Sequence, residues 1–195
     1  MTGVSRDFVT VVSGLPRSGT SLAMQLVAAG GIPPLTDHHR APDDDNPRGY
    51  FEFEAVKQLR SDRSWFADAR GRSVKIIHML LTELPDDVPC RVLFMRRDIG
   101  EVVRSQRVML ERSGKPGGAL TPERLGAVYA GQLAGVARWL AGRPAFRVLD
   151  VPYAGLVADP APLIAGIDAF LGGGLDTDAM AGAVDPSLYR NRAGS

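Results

Sequence analysis

The sequence predicts an α/β fold, a three-layer domain in which a central parallel sheet is flanked by helices. Three observations carry this. The run Phe8-Val9-Thr10-Val11-Val12 is apolar and β-branched, which suits a strand buried on both faces rather than an alternating, half-exposed one. It stops at Ser13-Gly14, and a glycine-punctuated loop then leads into a helical pattern over Ser21–Ala29 that ends near Gly30-Gly31. Further along, strand-like runs alternate with helical ones, a pattern that calls for right-handed crossovers between parallel strands.

The loop Gly14–Ser21 has the GxxxxG spacing of a Walker A phosphate loop, followed by the hydroxyl pair Thr20-Ser21. Gly14 and Gly19 let successive backbone N–H groups turn inward, and the helix behind them directs its positive dipole end to the same point. An anion belongs there, and the fold class is P-loop NTPase-like. A Walker A loop has Lys directly after its second glycine, where it reaches the β- and γ-phosphates of a nucleoside triphosphate. Here that position is Thr20, and the cation of the loop is Arg17.

The remaining elements follow in order. Gly31–Arg48 is rich in Pro, Asp and His, lacks periodicity and reads as a long surface loop in which Asp43-Asp44-Asp45 is a solvated face. Phe51 to Leu59 begins a helix, and Trp65 and Phe66 anchor the polar stretch Arg60–Arg72. Ser73–Met79 and Arg91–Met95 are strands. Asp98 caps the next helix with Glu101 at capping-box spacing, and Val102, Val103, Met109 and Leu110 are its apolar positions. Gly114–Gly118 is a flexible linker. Thr121-Pro122-Glu123 then opens a helix to about Ala141, with Tyr129, Leu133, Val136 and Leu140 as its stripe. Ala145–Val151 is a strand, and Pro160–Leu171 a helix closed by Gly172-Gly173-Gly174.

At 195 residues the chain is expected to be one domain, residues 1–195. The formal net charge of +1 provides no general attraction to nucleic acid or to an anionic membrane, so anion recognition has to be local. A single cysteine, Cys90, rules out an internal disulfide framework. With no apolar run near the ~20 residues that span a bilayer, and no signal-peptide pattern, the expectation is a cytoplasmic protein. Cations are mostly arginine, the lysines being Lys57, Lys75 and Lys115, which suggests a high-GC bacterial genome.

Pro16-Arg17-Ser18-Gly19-Thr20-Ser21 resembles at every position the P-[KR]-S-G-T-[ST] loop of the sulfotransferases, which holds the 5′-phosphosulfate of 3′-phosphoadenosine-5′-phosphosulfate (PAPS). In that family an Arg at a later strand end and a Ser eight residues on bind the 3′-phosphate, and Arg97 and Ser105 match in type and spacing. A planar, always protonated guanidinium suits a doubly charged phosphate. Tyr153, in Val151–Pro160, resembles the Tyr that approaches the adenine, although Ala154 and Gly155 replace the family's acidic pair. The family's C-terminal R-K-G element is absent in that form, and Arg190–Gly194 is the available substitute.

The resemblance implies transfer of a sulfuryl group from PAPS, leaving 3′-phosphoadenosine-5′-phosphate (PAP), to a hydroxyl or amine of a small molecule or glycan, with no metal. Arg17 then stabilises charge on the bridging oxygen, and a general base takes the acceptor's proton. Two residues compete for that role. Glu52, in Asn46–Glu52, resembles the acid of the bacterial "N-x-x-G-Y-F-E" segment; His78 resembles the base of the cytosolic "V-K-x-H" strand, with Lys75 as companion. Two residues rather than one separate Lys75 from His78, which turns His78 to the other face of a regular strand. His38 and His39 contact solvent or acceptor, and Glu111–Thr121 is expected to act as a lid. The rival readings are a small P-loop kinase, with Asp150 closing the FRVLD strand as a magnesium ligand, and a non-catalytic nucleotide-binding module.

Overall fold

The structure, a computed structural model, describes residues 6–37, 49–112, 114 and 120–185. Val9–Gly14 (β1) is buried at every position. It lies inside a four-stranded parallel sheet between Ser73–Lys75 (β2) and Cys90–Arg96 (β3), with Phe146–Pro152 (β4) on the far side of β3. The registers Val12↔Lys75, Gly14↔Met95 and Arg96↔Pro152 bring the carboxyl ends of all four strands to one rim.

Strand parity sorts the core into two faces. Val12, Leu93, Met95 and Val151 point to the side covered by the helices Thr20–Ala29 (α1), Tyr153–Ala158 (α4), Pro160–Phe170 (α5) and Thr177–Gly182 (α6). Val9, Val11, Val74, Val92 and Phe94 point to the other, which is covered by Pro122–Ala141 (α3) and by three 3₁₀ segments at Glu54–Gln58, Ser64–Ala69 and His78–Glu83. The three layers and the parallel sheet are those expected from the sequence. A third cluster joins Leu15 of the glycine loop to Val102 and Val103 of Ile99–Arg112 (α2) and Tyr129 of α3.

Several expected elements take a different form. The second strand ends at Lys75 instead of Met79: its last rung is the N–H of Ile76 on the carbonyl of Val12 at 3.0 Å, while β1 runs on to Gly14 paired with β3. The chain then turns into 3₁₀ structure at His78, so the parity argument for that residue does not apply. The helix expected from Phe51 is the 3₁₀ turn Glu54–Gln58. Helices α4 and α6 were not foreseen. Residues His38, His39, Asp43–Asp45, Asn46–Arg48 and Arg190–Gly194 lie outside the described residues, as do residues 113 and 115–119, and with them most of the expected Gly114–Gly118 linker and Glu111–Thr121 lid.

Cys90 opens β3, buried, and desolvation pushes its thiol up to about 12. Among the described residues no group of three His, Cys, Asp or Glu could hold a metal ion, and no helix is long and apolar enough to cross a membrane.

Candidate active site

The loop is built on two glycines and a strained arginine. Gly14 sits at φ 151°, and a Cβ there would stand 2.5 Å from Ser18 Oγ and 3.0 Å from the Met95 carbonyl. Gly19, the N-cap of α1, has φ 98° and ψ 16°; a Cβ on it would fall 2.4 Å from Cδ2 of Tyr153. Arg17 holds φ 67°, a left-handed conformation uncommon outside glycine, Asn and Asp. The Ser18 hydroxyl is buried and donates to the Leu15 carbonyl at 2.7 Å, so it fastens the loop to itself. Thr20 and Ser21 begin α1, whose N-terminus has neither a side-chain cap nor an acid in its first turn. That end keeps its positive character for an anion.

Four of the residues singled out in the sequence meet beside this loop. Arg17 Nε donates to Ser105 Oγ at 3.2 Å, and Arg97 Nη1 donates to the Arg17 carbonyl at 3.0 Å. The Arg97 guanidinium lies 4.7 Å from the centre of the Tyr153 ring, which also packs on Gly19. Burial pushes the Tyr153 phenol up, and the charge of Arg97 acts against this. Ser105, one turn beyond Glu101 on α2, is itself buried. Tyr153 opens α4 and its ring is buried under Arg97 rather than spread as an open platform.

One member of this group the sequence reading assigned differently. Glu101 was expected to complete a capping box. Asp98 Oδ1 does accept from the Glu101 N–H at 2.9 Å, but the Glu101 carboxylate turns to Arg97 and accepts from Nε at 2.9 Å. Their side chains are 7% and 4% exposed. The Arg-x-x-x-Glu spacing along the start of α2 is the signal that could have revealed this pair. A buried guanidinium needs such a partner, since removing water from a lone charge costs several kcal/mol.

The proposed bases separate. Glu52 is half-buried; its carbonyl accepts from Thr36 Oγ1 at 3.0 Å and from the Asp37 N–H at 3.3 Å, on a segment that begins beside β2 at Pro34. Phe51 before it has φ 51°, the second left-handed residue in the described chain that is not glycine. Lys75 Nζ, at the end of β2, donates to the Tyr50 carbonyl and lies 5.8 Å from the Tyr50 ring, tying this segment to the rim. His78 is 2% exposed, its Nε2 is 2.9 Å from Gln132 Oε1 on α3, and its Nδ1 has no partner. Asp150 pairs with Arg96 at 2.8 Å with a side chain 55% exposed, on the edge strand and along a groove beside the carboxyl end of α3.

No family model matches the chain, and no curated protein matches it by sequence. Solved structures do match in shape. The sulfotransferase domain of the curacin biosynthetic pathway superposes with a TM-score of 0.58 at 14% identity, covering 98% of this chain and 94% of that one. The sulfotransferase domain of the Synechococcus PCC 7002 olefin synthase gives 0.55 at 15% identity, covering 96% and 88%. The fold is that of the sulfotransferases. Retinol dehydratase in complex with androsterone and the inactive cofactor PAP shares this fold too, with a TM-score of 0.56 at 16% identity over 95% of this chain and 66% of that one. On the sulfotransferase fold of this chain, the glycine loop, Arg97, Ser105 and Tyr153 occupy one corner of the rim, Glu52 and Lys75 its β2 side, and His78 the layer under α3.

Proposed function

We propose that the chain is a sulfotransferase that uses PAPS as donor and releases PAP. The observation that carries this reading is the convergence of Arg17, Arg97 and Ser105 on a glycine loop that lacks the Walker lysine. The donor set fits the donor molecule: two guanidinium groups, a buried hydroxyl and an uncapped helix end surround the loop, and the Glu101 carboxylate is already paired with Arg97. PAPS supplies an activated sulfuryl group on a phosphate leaving group. The N–H groups at the start of α1 would hold its 5′-phosphate, and Arg97 with Ser105 its 3′-phosphate, while Arg17 places positive charge over the mouth of the loop. Tyr153 sets the wall against which Arg97 is held.

Glu52 is the better placed of the two bases. It is half-buried at the rim, whereas His78 is enclosed and already engaged with Gln132. Lys75 is then a positioning residue that acts through the Tyr50 carbonyl to fix the backbone before Glu52. A kinase reading lacks support from Asp150, which is exposed and paired with Arg96 on the sheet edge. The test is conversion of PAPS to PAP in the presence of a nucleophilic acceptor. Glu52→Gln should lower kcat by about 10²–10⁴-fold with little change in KM for PAPS, and His78→Gln should lower stability more than kcat; the reverse pattern would give the proton to His78.

A further inference from the structure

Five large apolar side chains stand exposed among the described residues: Ile77, Met79, Leu120, Val128 and Val148. Three of them, Ile77, Met79 and Val128, lie around one junction. Ile77 and Met79 flank His78 where the chain leaves β2, and His78 is joined to Gln132 of α3. Val128 lies one helical turn before Gln132, whereas Leu120, ahead of the Thr121 cap, is about three turns away and stands apart from the junction.

This junction is part of the rim. Ile76, next to Ile77, bonds the Val12 carbonyl two residues before Gly14, and Tyr129, next to Val128, packs on Leu15 of the glycine loop. Further along α3, Val136 and Leu140 pack with Cys90 and Phe146, the residues that begin β3 and β4. The amino-terminal half of α3 therefore borders the loop, and its carboxyl half descends to the opposite end of the sheet. A cluster of exposed aliphatic chains beside an anion loop is a costly feature that soluble surfaces keep for contact with a ligand or partner.

Resting on the sulfotransferase reading, we propose that the acceptor is an aliphatic alcohol or amine whose hydrocarbon chain lies over Ile77, Met79 and Val128. The patch is made of branched and thioether side chains. The side chains of Ile77, Met79 and Val128 carry no aromatic ring and no hydrogen-bonding group, whereas a sugar needs both stacking and polar pairing to offset its desolvation. The single polar group of the acceptor is met at the loop and the Glu52 side of the rim, and the rest of the molecule by apolar contact.

The experiment is calorimetric titration of the protein, with and without saturating PAP, with 1-hexanol, 1-octanol and 1-decanol, repeated on Ile77→Ser/Val128→Ser. Both positions are exposed, so the fold should survive, and PAP binding serves as the check. A methylene fully removed from water strengthens binding about four-fold, and an open groove should give about two- to four-fold per methylene. The expected result is that dependence in the wild type and its loss in the double variant, which still binds PAP. Affinity independent of chain length, or a dependence that the serines leave unchanged, would overturn the proposal. So would a dimer that the serines dissociate, since the patch would then belong to a second copy. Chain-length dependence in a protein that binds no PAP would remove the acceptor role by removing the sulfotransferase reading, and leave an aliphatic site of another kind.

Discussion

Gly19→Ala probes the contact on which the corner of the site is built. Two costs can be worked from the geometry. At φ 98° and ψ 16° an L side chain is in the left-handed region, which costs about 1–2 kcal/mol. The new methyl would also stand 2.4 Å from Cδ2 and 2.8 Å from Cε2 of the buried Tyr153 ring. Overpacking of this kind costs about 1–3 kcal/mol, giving about 2–5 kcal/mol in all. Urea unfolding followed by circular dichroism measures the sum, and a double-mutant cycle with Tyr153→Val separates the parts. Valine ends before the ring atoms the methyl would meet, so in that background Gly19→Ala should lose the packing cost and keep the backbone cost. An equal cost in both backgrounds would refute the placement of Tyr153 on the loop, and with it the account of how Arg97 is held.

Arg17→Gly should leave stability within about 1 kcal/mol of wild type, because relief of the φ 67° strain offsets the lost bond to Ser105, which is worth about 0.5–1.5 kcal/mol. PAP released from PAPS should nonetheless fall by about 10²–10³-fold, the scale for a lost charge-stabilising donor; full turnover in a stable variant would remove Arg17 from the chemistry. Cys90 gives a pH dependence with a definite sign. Its thiol titrates at about 12 when folded against an ordinary 9.0, so the unfolded chain loses the proton first. The associated stability is complete below about pH 9 and declines as pH rises toward 12, by up to about 1.4 kcal/mol per unit. Subtracting the profile of Cys90→Ala isolates it; parallel profiles would mean that the thiol is not buried as described.

The glycine loop was legible as a strand, turn and helix because its signals are local. The spacing of Gly14 and Gly19 and the β-branched run before them fix a strand, a turn and a helix without help from the rest of the chain. Arg97 and Ser105 were singled out through their resemblance to the sulfotransferase pair rather than from local signals, and the structure brings both beside Arg17. The early end of β2 was not legible, because Ile76-Ile77 continues the apolar pattern of Ser73–Lys75, and what the chain does instead is turn into 3₁₀ structure at His78, which meets Gln132, 54 residues away. The role of Glu101 depended on a choice between a backbone partner and Arg97 that burial decides. Helix α6 carries no apolar stripe, but Asp176 accepts from the Ala179 N–H at 2.9 Å, a cap that the Asp-Thr-Asp-Ala run could have announced.

The central claim is that the loop and Arg97 hold a 3′-phosphorylated adenosine nucleotide without a metal. Calorimetric titration with PAP, against ADP with and without Mg²⁺, tests it most directly. The paired variant Arg97→Met/Glu101→Leu belongs in the same experiment, since replacing both partners of a buried ion pair with apolar residues leaves no stranded charge. The account predicts metal-independent binding of PAP in preference to ADP, weakened in the paired variant by about 1.5–3 kcal/mol while the protein stays folded. Preference for ADP with Mg²⁺, or PAP binding unchanged by the paired variant, would contradict it.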